Sequence, residues 1–253
     1  MGYATVRPLS TAGQDMNWLD RTLPTLVENL ALDEALLVEA DAGRGGEVLR
    51  FWEWPTLAVV LGAGCRLADD VDEAACERDH VPIARRSSGG GTILQGAGCL
   101  SYTLVLAYER DPLLHDVRGS YRFILERVRR ALTGLLPDIE HAGISDLASG
   151  GRKFSGNAQQ RKRHFLLHHG TLLQSFDINQ VGRYLRVPHV QPAYRQQRPH
   201  TDFMQNLPVW AADLKRRLGT AWHAQAEAVD WPHETIRQLV AEKYARPEWI
   251  RRR

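Results

Sequence analysis

Arg85-Arg86-Ser87-Ser88-Gly89-Gly90-Gly91-Thr92 is followed further along the chain by Gly150-Gly151-Arg152-Lys153-Phe154-Ser155-Gly156-Asn157-Ala158. That second run leads into His168-His169-Gly170-Thr171-Leu172-Leu173. Three consecutive glycines let the backbone pass close to a bulky ligand, because no Cβ intervenes. Bared N–H groups in such a loop can form an anion-binding concavity. A lysine between small residues meets an anion as a point charge. Together the segments suggest a site for a phosphate-bearing or mixed-anhydride ligand. The loop is not a nucleotide-binding P-loop, because no Gly-x-x-x-x-Gly-Lys-Ser/Thr occurs.

Working outward, the chain reads as interspersed helices and strands. Residues 29–40 read as a helix, with Asn29 near its start. Residues 48–53 and 57–61 read as strands split by Trp54-Pro55, and residues 69–79 as a short helix. Strands are expected at 81–87, 91–94 and 100–108. Tyr121, Ile124, Leu125, Val128, Leu132 and Leu135 recur at helical spacing across 118–135, and Pro137 ends that helix. Gly150-Gly151 suits a two-residue hairpin turn into the lysine strand. Residues 165–176 form the next strand. Residues 187–206 read as an ordered loop, followed by helices near 208–219 and 232–245. Residues 1–25 show no clean periodicity and are expected to wrap the domain as an arm. The fold class is therefore α+β, with a mainly antiparallel or mixed sheet flanked by helices.

Composition excludes several classes. The 253 residues are 43% hydrophobic and 25% charged, with a net charge of +2. A near-balanced charge gives no reason to expect nucleic acid or a membrane surface as partner. Basic runs at 161–163 and 251–253, and the Arg/Tyr/His mixture at 194–200, are local. Cys65, Cys76 and Cys99 have neither metal-type spacing nor a disulfide framework, which fits a reducing cytoplasm. No secretory signal and no spanning apolar run is seen. His168 and His169 are neighbours on a strand, so at most one faces the site. Zinc would need a different ligand spacing.

Taken as a group, these motifs resemble the lipoate–protein ligase A family, within the biotin/lipoate ligase and octanoyltransferase superfamily. Asn29-Leu30-Ala31-Leu32-Asp33-Glu34-Ala35 and Arg50-Phe51-Trp52-Glu53-Trp54 add to the match. So do Tyr184–Pro188, Gln191–Arg195, Lys243-Tyr244 and Glu248-Trp249. The similarity spans about residues 26–250. It implies a biotin/lipoate ligase-like catalytic domain over 1–253, with no separate C-terminal accessory domain. It implies formation of lipoyl-AMP from lipoate, ATP and Mg²⁺, then transfer to a lysine on a lipoyl carrier. Such carriers belong to 2-oxoacid dehydrogenase E2 chains or glycine cleavage H-type proteins, and a separate accessory chain is a further implied partner.

On the same resemblance Lys153 is the catalytic residue, contacting the α-phosphate and the acyl carbonyl. Arg86, Ser88, Gly89, Gly90, Gly91, Gln95 and Cys99 are expected around the adenylate. Ser155, Gly156, Ala158, His169 and Gly170 are expected on the same site, and Asp146 is expected to hold Mg²⁺. Trp52 and Trp54, with Leu57, Val59 and Leu61, are candidates for an acyl tunnel or for plain core.

The chain also departs from the family pattern. Gln95-Gly96 and Gly98-Cys99 stand where many members carry His-Asp and Gly-Asn. Ser145-Asp146 replaces an Asn-Asp pair. Gln160 stands where an arginine is common. An octanoyl or lipoyl transferase acting between carriers without ATP is the alternative. The superfamily's transferases use a cysteine thioester, and residues 138–146 and 174–190 contain no cysteine. Cys99 is then a displaced nucleophile or a small buried residue. A non-catalytic binder of lipoylated carriers is a third class, disfavoured by the intact Lys153.

Overall fold

The computed structural model describes residues 16–253 apart from 189 and 228–229. Eleven strands are described: β1 (Met16–Asp20), β2 (Val48–Glu53), β3 (Ala58–Leu61), β4 (Ile83–Arg85), β5 (Ile93–Gln95), β6 (Cys99–Ala107), β7 (Glu140–Ala142), β8 (Asp146–Ser149), β9 (Arg152–Arg161), β10 (Phe165–Leu173) and β11 (Ala224–Glu227). Eight of them form one sheet in the order β11-β1-β2-β6-β10-β9-β8-β7. A smaller sheet has the order β4-β3-β5. β1 runs parallel to β2 and β11, and β3 parallel to β4, while the remaining pairs are antiparallel. The expected mixed, mainly antiparallel sheet is what forms.

Both faces of the large sheet are covered, which is why β6 and the ends of β10 read as nearly unbroken apolar runs. Leu104, Leu106, Leu166 and Leu172 point to one face, under the helices Val117–Ala131 and Ala211–Trp222. Val105 and Leu167, of opposite parity, point to the other face, under the helix Leu26–Asp41. A third cluster, including Val59, Leu61, Leu94, Cys99 and Leu173, fills the space beneath the small sheet.

Several boundaries differ from the sequence reading. The first helix starts at Leu26, earlier than expected, because Thr25 and Glu28 form a reciprocal capping box. The helix from 117 stops at Ala131, and Gly134 takes a positive φ before Pro137. The expected arm of residues 1–25 contains a true strand, β1, bonded on both edges. Its first fifteen residues lie outside the described region. The segment 187–206 carries two short helical turns, Ala193–Arg195 and His200–Phe203. The last expected helix is α-helical over His233–Leu239 and widens to a π turn over Val240–Tyr244.

Between β8 and β9 the chain turns on Gly150 and Gly151 alone, with φ of 56° and 69°. Two consecutive positive φ values match a type I′ turn, which only glycine adopts without strain.

Candidate active site

The residues that meet at the site come from a lattice that the ladder register defines. One row crosses five strands: Trp52, Ser101, Thr171, Gly156 and Asp146 are successive pairing partners on β2, β6, β10, β9 and β8. Two residues along lies a second row: Arg50, Thr103, His169 and Ala158. Paired residues share a face, so these rows form one floor. At about 4.8 Å per step, the first row runs roughly 19 Å from Trp52 to Asp146. The glycine loop, the small sheet and the helix Leu26–Asp41 contribute the remaining walls of the cleft. Leu30, Trp52, Val60 and Ile93 give it apolar lining.

Lys153 reaches this floor through a β-bulge. Leu147 pairs with Ser155 and Ala148 pairs with Lys153, so Phe154 is the extra residue. Simple alternation would put Lys153 on the face of Ser155, Asn157 and Gln159. The inserted residue moves it to the face of Gly156 and Ala158. Phe154 is fully buried in the first core cluster. Lys153 Nζ then lies over Gly156, where an added Cβ would come within 2.7 Å of it. A side chain at 156 would displace the ammonium. Lys153 Nζ sits 2.8 Å from Asp146 Oδ1, with the lysine side chain 27% exposed. Tyr194 donates its hydroxyl to Asp146 Oδ2 at 2.7 Å. Burial and the neighbouring Asp146 charge raise the Tyr194 pKa well above a free phenol, so the hydroxyl keeps its proton.

The second row is held by charge. Asp33 accepts from Arg50 Nη1 and lies 3.1 Å from His169 Nδ1. Burial alone would raise the Asp33 pKa, but Arg50 and His169 outweigh it and hold the carboxyl below its ordinary range. His169 Nε2 is 2.5 Å from Ser88 Oγ, which also accepts from Arg86 Nε at 3.0 Å. This chain has the order of a Ser-His-Asp triad. Ser88 is only 1% exposed and does not border the cleft. The relay therefore fixes the imidazole rather than presenting a hydroxyl to substrate. Arg86, with its pKa lowered by burial to about 10, donates to the carbonyls of Gly89, Gly91 and Val60. It holds the glycine loop in shape from inside.

Of the residues expected from sequence, Lys153, Asp146, Arg86, Gly90, Gly91, Gln95, Gly156, Ala158, His169 and Gly170 border one cleft. Five others do not. Ser88 is buried behind His169, and the Gly89 N–H bonds Gln159 O. Ser155 pairs with Leu172 on the opposite face of the sheet. Trp54 lies past the end of β2, so it does not continue the floor. Cys99 shares the floor's face but pairs with Leu173, where the small sheet covers it. In the proposed acyl tunnel Trp52 stays and Val60 replaces Val59 and Leu61, because alternation along β3 turns those two into the third cluster.

An Mg²⁺ at Asp146 would have to compete with two hydrogen-bond donors. Both of its oxygens already accept from Lys153 and Tyr194. No group of three or more His, Cys, Asp or Glu side chains able to hold a metal exists among the described residues. In this structure Asp146 is the ion-pair partner of Lys153.

Sequence reading missed Asp33, Arg50, Asn157 and Tyr194. Tyr102 OH lies 2.5 Å from Asn157 Oδ1, and Asn157 Nδ2 donates to Ser145 O. That bond fixes the strand end carrying Asp146. Alternation of Arg50 with Trp52 was a usable signal, since a charged residue inside an apolar strand needs a buried partner. His168, as expected, faces away from His169. It is buried beside Tyr102 and Gln159, and burial lowers its pKa to about 3.

Comparison with known proteins agrees with this geometry. A profile of the lipoyl protein ligase A/B catalytic domain matches residues 25–215. Octanoyltransferase LipM of Carboxydothermus hydrogenoformans is 27% identical, the match covering 88% of this chain and 93% of that protein. A probable lipoate-protein ligase A of Mycoplasma pneumoniae is 30% identical over 63% of this chain and 45% of its own length. The bi-partite lipoate protein ligase of Thermoplasma acidophilum superposes with a TM-score of 0.80 at 21% identity, covering 94% of this chain and 97% of that one. A lipoate-protein ligase A bound with ATP gives 0.74 at 23% identity, covering 94% and 99%. These two share the fold. With three quarters of its length matched and its motifs gathered around one cleft, the chain belongs to the lipoyl protein ligase A/B catalytic-domain family of acyl-transferring enzymes.

Proposed function

We propose that this chain transfers a medium-chain acyl group, octanoyl or lipoyl, to the ε-amine of a lysine on a lipoyl carrier domain. One observation carries the reading: Lys153 stands at the exposed end of a floor whose other end, at Trp52, is buried and apolar. An acyl tail lies along the floor toward Trp52, and its carbonyl lies at Lys153.

The carrier amine attacks the carbonyl carbon and a C–N bond forms. Negative charge develops on the carbonyl oxygen, and the Lys153 ammonium is aimed at that charge before reaction. The C–S or C–O bond to the leaving group then breaks. The amine proton leaves with the thiol or phosphate released. Asp146 and Tyr194 keep Lys153 oriented, while Asp33 and Ser88 keep the His169 ring fixed against the acyl group.

Two donors are compatible with this step. The names of the curated relatives, mostly octanoyltransferases, favour an octanoyl thioester on a carrier protein, used without ATP. A second reading, an acyl-adenylate made from lipoate and ATP, is favoured by the cysteines. None of Cys65, Cys76 or Cys99 borders the cleft. Burial raises all three thiol pKa values, Cys99 to about 12 and Cys76 to about 11. In either reading the donor is attacked directly by the carrier amine. The deciding experiment supplies one carrier with octanoyl-carrier thioester alone, with presynthesised lipoyl-AMP, and with lipoate plus ATP. Amide formation from the thioester without ATP establishes the transferase reading. Formation only from the adenylate or from lipoate plus ATP establishes the ligase reading. Failure of all three removes the proposal.

A further inference from the structure

The C-terminal strap Val240–Ile250 lies outside the segment matched to the catalytic-domain family, yet it is bonded at two points, to Glu34 and to Arg85, and each of these leads to the glycine loop. The first point is Glu34. Its carboxylate accepts from Lys243 Nζ at 2.7 and 2.9 Å and from Tyr244 OH at 2.8 Å. Gln160 Nε2 donates to the same carboxylate at 3.1 Å, and Gln160 Oε1 accepts from Ser87 Oγ at 2.5 Å. A continuous chain of bonds thus runs from the strap to the residue beside Ser88.

Lys243 and Tyr244, the two donors to this carboxylate from the strap, close the π turn over Val240–Tyr244.

The second point is Arg85. Its guanidinium is fully buried and bonds only to carbonyls: Gly62 and Cys65 on one side, Ile250 on the other. Trp249 Nε1 donates to Arg85 O at 2.9 Å, and its ring carries Lys243 on one approach and Arg252 on another. A buried cation without a carboxylate depends on those carbonyls for its hydrogen bonds. Helix Leu26–Asp41 supplies both halves of the site, since Asp33 secures His169 while its neighbour Glu34 secures the loop.

We infer that the strap is part of the acyl-donor site: Glu34, Lys243 and Trp249 are positioning residues that hold the glycine loop in its donor-binding shape. The kinetic half of this inference rests on the acyl-transfer reading; the structural half stands without it.

The test uses the full chain, two disrupting variants and one conservative variant. Glu34→Gln with Lys243→Met removes the pair without leaving an unpaired charge, and Trp249→Phe removes the bond to Arg85 O while keeping an aromatic ring beside Lys243 and Arg252. Hydrogen exchange needs no substrate. Amides of residues 86–92 are expected to exchange on the order of tenfold faster in both variants, with those of β6 and β10 unchanged. KM for the acyl donor is expected to rise about tenfold, while kcat and KM for the carrier change less than about twofold. Lys243→Arg, which keeps the charge opposite Glu34, is expected to keep the donor KM close to that of the unaltered chain. Unchanged exchange at residues 86–92 overturns the inference. Faster exchange with an unaltered donor KM reduces the strap to a structural element and overturns it equally. A wild-type chain inactive with every donor refutes the acyl-transfer reading instead, and the exchange result still decides the strap.

Discussion

Lys153 and Asp146 meet at 2.8 Å because the ladder between their strands slips by one residue at Phe154. Without that slip the lysine would face the packed core side of the sheet. The bulge converts a strand lysine into a cation over a glycine, at the open end of an acyl-sized floor.

Replacing Lys153 with Ala is expected to lower the rate of carrier acylation by about 10²–10³ while leaving the fold intact. The side chain is partly exposed, so its removal leaves no large cavity. Single-turnover transfer followed by intact mass of the carrier measures the loss. A near-normal rate would remove Lys153 from the chemistry.

Tyr194→Phe tests whether Lys153 is oriented through Asp146. Losing the hydroxyl frees Asp146 Oδ2 and loosens the ion pair, so kcat is expected to fall roughly tenfold with little change in Tm. On the proposed reading the transfer step needs no protein-held divalent cation. Transfer from a preformed donor is expected to survive EDTA, and an EDTA-sensitive transfer step would restore a metal role for Asp146.

Much of this site was legible in the sequence, and the limits have physical causes. The glycine triplet, Lys153 and His169 sit in short strings whose residue types announce their backbone and charge. Asp33 was not legible as a site residue, because its partner His169 is 136 positions away and only the fold joins them. Tyr194 acts on Asp146 from a loop 48 positions later. The bulge has no string of its own, since nothing in Arg-Lys-Phe-Ser says which residue the partner strand skips. Trp54 was misplaced because strand length, not residue type, decides whether the alternation begun at Arg50 and Trp52 continues. β1 escaped notice because five residues are too few for periodicity to speak.

His168 makes stability depend on pH. Folded, it stays neutral down to about pH 3, because burial disfavours the charged ring. Unfolded, it takes a proton near pH 6.5. Between those values the unfolded chain binds more protons, so stability falls as pH falls, by about 1.4 kcal/mol per pH unit from this residue. Asp33 and Glu34, with carboxyl pKa values held down in the fold, add loss in the same direction only at lower pH. Urea unfolding at pH 7, 6 and 5 is expected to show a steeper decline for the native chain than for His168→Gln. Parallel declines would mean that His168 is not held neutral.

On the proposed mechanism a carrier amine attacks the acyl donor directly at Lys153, with no acyl group passing through the enzyme's thiols. The most direct measurement is the intact mass of both proteins during turnover with octanoyl-carrier thioester and with lipoyl-AMP. Direct attack is expected to give a carrier bearing one hydroxylamine-stable acyl amide, an enzyme of unchanged mass at every time point, and full activity in the Cys65→Ser, Cys76→Ser, Cys99→Ser chain. An enzyme that gains an acyl mass removable by hydroxylamine, and loses both that mass and its activity when the cysteines are replaced, would contradict it.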